Sequence, residues 1–343
     1  MQAKKKLHAL GRRIVLLPIF LFGVLLSAAA INVSSGSPSM TWAELLGVIF
    51  SNVGSELQRT VIWEMRIPRI VLGLMVGMLL GAVGTLMQGA MNNKLAGPEL
   101  LGVSSGASLV MAAITVLHLP ISVMLHPFLA LLGGLAGGLC VVLAARGSRG
   151  TVGMLLIGMS VSAILNGLLI ALIALATSND VNLLYTYLLG SLANRSWEHV
   201  LHTLPWAIIT LPIAFFFTRT LNMLQLGDEA AAGLGVKVLR ARIAILALCT
   251  GLIAITVAQC GPIGYIALIA PHLVRALLGT LDARFILPLS ALCGGILLVA
   301  ADTVARLLLY PMEIPVGVWT TLLGGSFFLL QFLRKRQGGG VDV

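Results

Sequence analysis

Residues 70–91 read IVLGLMVGMLLGAVGTLMQGAM. The run carries no charged residue, and a helix needs only about 20 apolar residues to cross a bilayer. Gly73, Gly77 and Gly81 recur at every fourth position. That is the small-xxx-small pattern through which membrane helices approach closely. Nine further apolar runs resemble it: 14–31, 100–117, 119–145, 152–177, 200–218, 241–258, 263–281, 285–301 and 314–333. The chain therefore reads as an all-α polytopic membrane protein, one transmembrane domain over 1–343 with ten transmembrane helices.

Composition agrees. Of 343 residues, 58% are hydrophobic and 10% are charged, against roughly 25% charged in a soluble domain. With mean hydropathy at +1.02, a soluble enzyme, a coiled coil and a disordered chain are excluded. Long unbroken runs exclude an outer-membrane barrel, whose strands alternate. Cys140, Cys249, Cys260 and Cys293 lie in or beside apolar runs without a C-x-x-C pair, and read as small buried hydrophobes.

The net charge of +10 belongs to topology rather than to nucleic acid, because the basic residues fall between runs. Ten spans with a cytoplasmic N-terminus place seventeen of the 22 Lys and Arg inside. Only Arg59, Arg66, Arg69, Arg195 and Arg306 lie outside. The weakest run, 263–281, is interrupted by Pro271, His272 and Arg275, and omitting it lowers the ratio from 17:5 to 13:9. The positive-inside rule thus favours ten spans, with both termini cytoplasmic. The segments 32–63 and 179–199 then face out, 219–242 faces in, and 337–343 is a disordered tail. The first run also suits a signal peptide, with its basic start and Ala28-Ala29-Ala30; its length favours an uncleaved span.

Several chemistries are missing. No Gly-Lys dipeptide occurs, so there is no P-loop for ATP. No zinc-protease motif occurs either, and the six His are scattered without forming a catalytic or metal-binding cluster, which weighs against a membrane-embedded enzyme. The apolar runs contain no Asp or Glu, whereas an ion-coupled secondary carrier commonly uses intramembrane carboxylates. A transporter without either device takes its energy from another subunit.

The remaining polar features are candidate sites. Arg66, Arg69 and Arg306 sit at outer span ends, as lipid-headgroup anchors or as a cationic patch for an acidic partner. Asn93 and Leu95 lie in the turn Asn92 to Pro98, a loop or a constriction. Met159, Ser162 and Asn166 share one helical face, either joining helices or lining a polar path. A Pro and a His inside one run imply a broken helix facing protein, with His272 a structural residue ahead of a ligand. In the inner segment, Asp228 and Glu229 precede Lys237, Arg240 and Arg242, as suits short helices.

In chain order, Arg66-Ile67-Pro68-Arg69, Gln88, the Asn93–Pro98 turn, Leu101-Gly102-Val103, Gly190-Ser191-Leu192, Leu226-Gly227-Asp228-Glu229, Leu234-Gly235-Val236, Gly261-Pro262-Ile263-Gly264, Pro271-His272, Ala301-Asp302 and Glu313-Ile314-Pro315-Val316-Gly317 resemble one family. It is that of the FecCD-type permease subunits of bacterial iron-siderophore, heme and cobalamin ABC importers. The turn departs from that pattern at Lys94, where the family has Pro. The resemblance implies a cobalamin-importer-permease-like fold in the bacterial inner membrane. The permease pairs with a second copy or a homologue, two ATPase subunits that hold ATP and Mg, and a periplasmic or lipid-anchored binding protein. This chain itself needs no cofactor. Arg66, Arg69 and Arg306 are then expected to dock the binding protein. Leu226, Gly227, Asp228, Glu229, Leu234, Gly235 and Val236 are expected to couple to the ATPase. Asn93, Leu95, Thr151, Val152, Met159, Ser162 and Asn166 are expected to form the path and gate. A ferric siderophore is the expected cargo, with citrate-bound iron, heme and cobalamin as alternatives.

Overall fold

The computed structural model describes residues 2–34, 40–50, 54–147, 150–309 and 312–337. In chain order its α-helices are α1 (Gln2–Ser34), α2 (Trp42–Phe50), α3 (Glu56–Thr60), α4 (Ile67–Ala90), α5 (Val103–Val116), α6 (His126–Ala145), α7 (Gly150–Ile173), α8 (Ser178–Leu188), α9 (Trp197–Phe216), α10 (Thr218–Leu224), α11 (Asp228–Gly233), α12 (Val238–Cys260), α13 (Ile266–Leu278), α14 (Ala283–Leu307) and α15 (Val316–Gln337). Each of the ten apolar runs folds as a helix, and no strand forms among the described residues. Seven stretches are long and apolar enough to span a bilayer, and α5, α13 and the apolar part of α15 are shorter.

Two of the short helices are spans broken at their starts. The 14 residues of α5 rise only about 21 Å, well under a bilayer core. The remaining depth is crossed by the irregular stretch 91–102, which includes a 3-10 turn, Pro98–Leu101. The 13-residue α13 likewise follows the irregular stretch 261–265. Such backbone is tolerated at membrane depth only when protein surrounds it. Ala96, Gly97, Pro98 and Gly261 are indeed buried.

The centre of the bundle is α4, α12 and α14; 72% of the apolar window in each is buried, against 17% in α7. Apolar burial does not drive helices together in lipid, so close backbone packing must hold the centre. Gly77 lies against the backbone of Gly294 and Gly295, and a Cβ on Gly81 would run into the Ser290 carbonyl. The four-residue glycine spacing is therefore a seam between α4 and α14.

The segment 32–63 differs from the polar outer loop expected. Leu45, Val48, Val61 and Ile62 form a small buried core with Met40, and α3 continues through a π-helical turn, Val61–Arg66, into α4. Apart from Glu44, α2 is apolar on both its buried and its exposed sides, but its nine residues are too short to register as a span. Residues 35–39 and, of the expected tail, 338–343 lie outside the described residues. The segment 179–199 does hold a short helix, α8, opened by a capping box from Thr177 to Asp180.

Candidate functional site

The inner segment is a helix–turn–helix knob built from α10 and α11. Gly227, at φ 101°, makes the turn that no other residue would enter cheaply. Asp228 opens α11 and is gripped by Arg242, with hydrogen bonds of 2.7 and 2.6 Å. Arg242 is 2% exposed and also donates from Nε to the Ala90 carbonyl at the end of α4, at 2.8 Å. On the other side, Asn222 donates to Asp282 at 2.7 Å and accepts from the Ala283 amide at 2.8 Å. The knob is thereby tied to the ends of α4, α12 and α14. These hydrogen bonds hold the Asp228 carboxyl below its ordinary 3.8, with the Arg242 charge adding to them.

Of the residues expected to couple, Leu226 and Leu234 are 64% and 60% exposed, and Glu229 and Gly235 are exposed beside them. Val236 differs: it is half-buried and packs on the main core. It supports the knob from beneath. Arg242, read from sequence as an inner charge that suits a short helix, is the residue that anchors the knob.

The expected path residues divide. Asn93 folds its turn, accepting from the Leu95 amide at 2.9 Å, and leaves the Leu95 side chain 65% exposed. Thr151 and Val152 start α7, with Val152 68% exposed. Ser162 is buried and donates to the Glu99 carbonyl at 3.0 Å, so it joins helices. Asn166, one turn further, lines a cavity of about 360 Å³ with Glu99, Ser104, Ser105, Ser108 and Thr256. Met159 does not line it and is 55% exposed.

Glu99 corrects an expectation. The apolar runs hold no carboxylate, but the broken span before α5 carries Glu99 into that cavity. Its side chain accepts from the Tyr265 amide at the start of α13. The two broken spans meet there, and the positive end of the α13 dipole faces the acid. Asp302 is the second missed carboxylate, because α14 runs six residues beyond the apolar run that predicted it. A carboxylate directly after Pro98 was the available signal for Glu99.

At the other end, the three arginines cluster but face inward. Arg69 makes hydrogen bonds of 2.9 and 2.8 Å to Asp302 and one of 2.9 Å to Glu313. Arg306 donates to Asn32 at 2.8 Å and lies 3.6 Å from Glu313. Arg66 is 4% exposed and donates to the Val33 carbonyl. The expectation of three exposed docking cations is thus corrected: Arg66 is interior, and Arg69 and Arg306 keep 11% of their side chains exposed, behind a 43% exposed Glu313. Arg69 is matched by Asp302 of α14 and by Glu313, and Arg306 by Glu313, because an isolated cation at that depth would be costly.

Other family-like motifs converge near this rim. The Ser191 amide donates to the Cys260 carbonyl at 2.8 Å, and the Gly317 amide to the Gly190 carbonyl at 3.0 Å. Gly190, at φ 68°, lies against the Pro262 carbonyl. His272 packs edge-on to Phe327 and Phe328 and meets Gln331 at 2.6 Å, a structural setting.

A bundle with broken spans meeting at a polar cavity and an anchored knob at one end is a membrane permease. The FecCD transport family matches residues 20–334, and the chain belongs to it. The chain is 37% identical over 322 residues to the Fe(3+) dicitrate transport system permease protein FecD of Escherichia coli (strain K12), covering 94% of this chain and 99% of that one. It is 38% identical over 282 residues to the hemin transport system permease protein HmuU of Yersinia pestis, covering 80% and 84%. A metal-chelate type ABC transporter solved in an inward-facing conformation matches with TM-score 0.82 and 29% identity, covering 92% of this chain and 99% of that one. The protein is thus a multi-pass permease of the bacterial inner membrane.

Proposed function

We propose that this chain is the membrane half of an ATP-driven importer that carries a metal chelate, a ferric siderophore, into the cytoplasm. The exposed, anchored knob carries this reading. A chain without a nucleotide site must receive work from elsewhere, and Leu226 and Leu234 offer apolar anchors of the kind that dominate interfaces. ATP and Mg belong to two separate ATPase subunits beneath the knob. A second permease copy or a homologue completes the path, and a periplasmic or lipid-anchored binding protein delivers the cargo at the rim formed by Arg69, Arg306 and Glu313. Asn93, Leu95, Thr151 and Val152 form the inner gate. Names of relatives that include ferric dicitrate and hemin support an iron chelate as cargo.

The test is reconstitution of the permease with its neighbouring ATPase and binding protein in vesicles, with uptake measured for a ferric hydroxamate, ferric citrate and hemin. Uptake of the hydroxamate that ceases when the P-loop Lys of the ATPase is replaced is the expected result. Uptake that persists would reject the ATP-driven reading; uptake of hemin or ferric citrate alone would reject the siderophore.

A further inference from the structure

At the predicted outer end, the starts of α6 and α9 and the end of α12 enclose a second cavity of about 570 Å³. It is separate from the path residues discussed above. Arg195, His126, His199, His202, Glu198 and Gln259 line it. Three of these present buried polar atoms without a hydrogen-bond partner: Nε of Arg195, Nε2 of His126 and Oε1 of Gln259. Gln259 is 3% exposed, so its amide has only the cavity to serve. Arg195 is one of the five outer cations that the positive-inside rule disfavours. Among the described residues it makes no ion pair, and its NH1 instead meets Nε2 of His199 at 3.1 Å. A half-buried guanidinium facing an imidazole rather than a carboxylate is an unmatched positive charge. An orphaned buried polar atom is unfavourable unless something pairs with it.

We infer that this cavity binds a phosphate oxyanion, supplied by the phosphodiester of a membrane lipid. Guanidinium geometry matches phosphate. His126 can donate from Nε2, and the Gln259 amide can turn its NH₂ inward, since its orientation is an assignment. The surroundings favour a lipid as the source. Val123 and Met124 line the cavity and stand exposed, and Phe128 and Leu201, next in sequence to the lining residues Pro127 and His202, are exposed as well, so acyl chains would lie beside α6 and α9. Glu198 is exposed at the rim and keeps the site from being a general anion trap. The inference does not depend on the cargo or on the ATPase.

Binding to the full-length protein in phosphate-free maltoside micelles tests it. Phosphatidylglycerol should bind, and dioleoylglycerol, with the same chains and no phosphate, should not. Arg195→Gln should weaken phosphatidylglycerol about tenfold or more, while Arg195→Lys keeps most of the affinity. Should Arg195→Gln fail to fold, Gln259→Met carries the same test, with at least about a threefold loss expected. Inorganic phosphate binding as tightly as the lipid would keep the oxyanion site and make the periplasmic solution its source. Equal affinity for dioleoylglycerol, or unchanged affinity in folded Arg195→Gln or Gln259→Met, would overturn the proposal.

Discussion

Arg69 and Asp302 meet side-on, two parallel hydrogen bonds joining α4 to α14 across 233 positions of sequence. With side chains 11% and 3% exposed, this pair is interior. Removing one partner leaves a buried charge and costs about 3–5 kcal/mol. Asp302→Ala should therefore lower the thermal unfolding midpoint sharply in detergent. The double variant Arg69→Met with Asp302→Leu should recover most of it. A single variant as stable as the parent would refute the pairing.

Docking of the binding protein should depend on the rim. Charge reversal at Arg306 places a carboxylate beside Glu313, so Arg306→Glu should weaken docking at low salt by about tenfold and less at high salt. Surface plasmon resonance at two ionic strengths reads this directly. Affinity independent of both the substitution and salt would place docking elsewhere.

The knob makes a sharper prediction. Leu226→Asp with Leu234→Asp should leave membrane insertion and thermal stability within about 0.5 kcal/mol, since both side chains are exposed. The pair should abolish co-purification with the ATPase or uncouple hydrolysis from uptake. Val236→Asp should instead destabilise the fold, because that side chain packs on the core. Normal transport by the double variant would show that coupling occurs at another surface.

Attachment of the knob has a defined pH response. The Asp228 carboxyl is held below 3.8 by Arg242. A depressed folded pKa gives a contribution fully present above the unfolded value and lost as pH falls through the folded one. A spin label at Leu226→Cys should thus show constant mobility from neutral pH down to about 5, loosening only below about 4. Arg242→Gln should loosen it at every pH. Mobility that changes between pH 5 and 8 would contradict the assignment.

The glycine seam tolerates no side chain. Gly81→Leu, whose Cβ would meet the Ser290 backbone, should cost about 4 kcal/mol or more and remove folded protein from the membrane. Gly23→Leu, on the open face of α1, where a Cβ meets nothing within 4 Å, is the matched control.

The helices were legible in the sequence because lipid admits few alternatives to a long apolar helix. The knob was legible as well, since Gly227, Asp228 and Glu229 spell a turn and a helix start. The outer arginines were legible as a cluster, but not in their orientation. Most of their partners lie far away in sequence, Val33 for Arg66, Asp302 and Glu313 for Arg69 and Asn32 for Arg306, and no local pattern reveals such a pairing. Glu99 escaped for the opposite reason: it sits in irregular backbone, where a hydropathy scan sees only the end of one run and the start of the next.

The seam also fixes how the two ends of the molecule relate. Backbone rests on backbone where Gly77 and Gly81 of α4 meet Ser290 and Gly294 of α14, so no rotamer at those contacts can change to absorb a shift. Ala90 is held by Arg242 at the knob and Arg69 by Asp302 at the rim, 21 helical steps or about 32 Å apart along α4. The helix pair is a girder clamped at both ends. A tilt imposed at one face is delivered to the other at full amplitude, and the compliance needed for alternating access has to reside in the loosely packed helices around it.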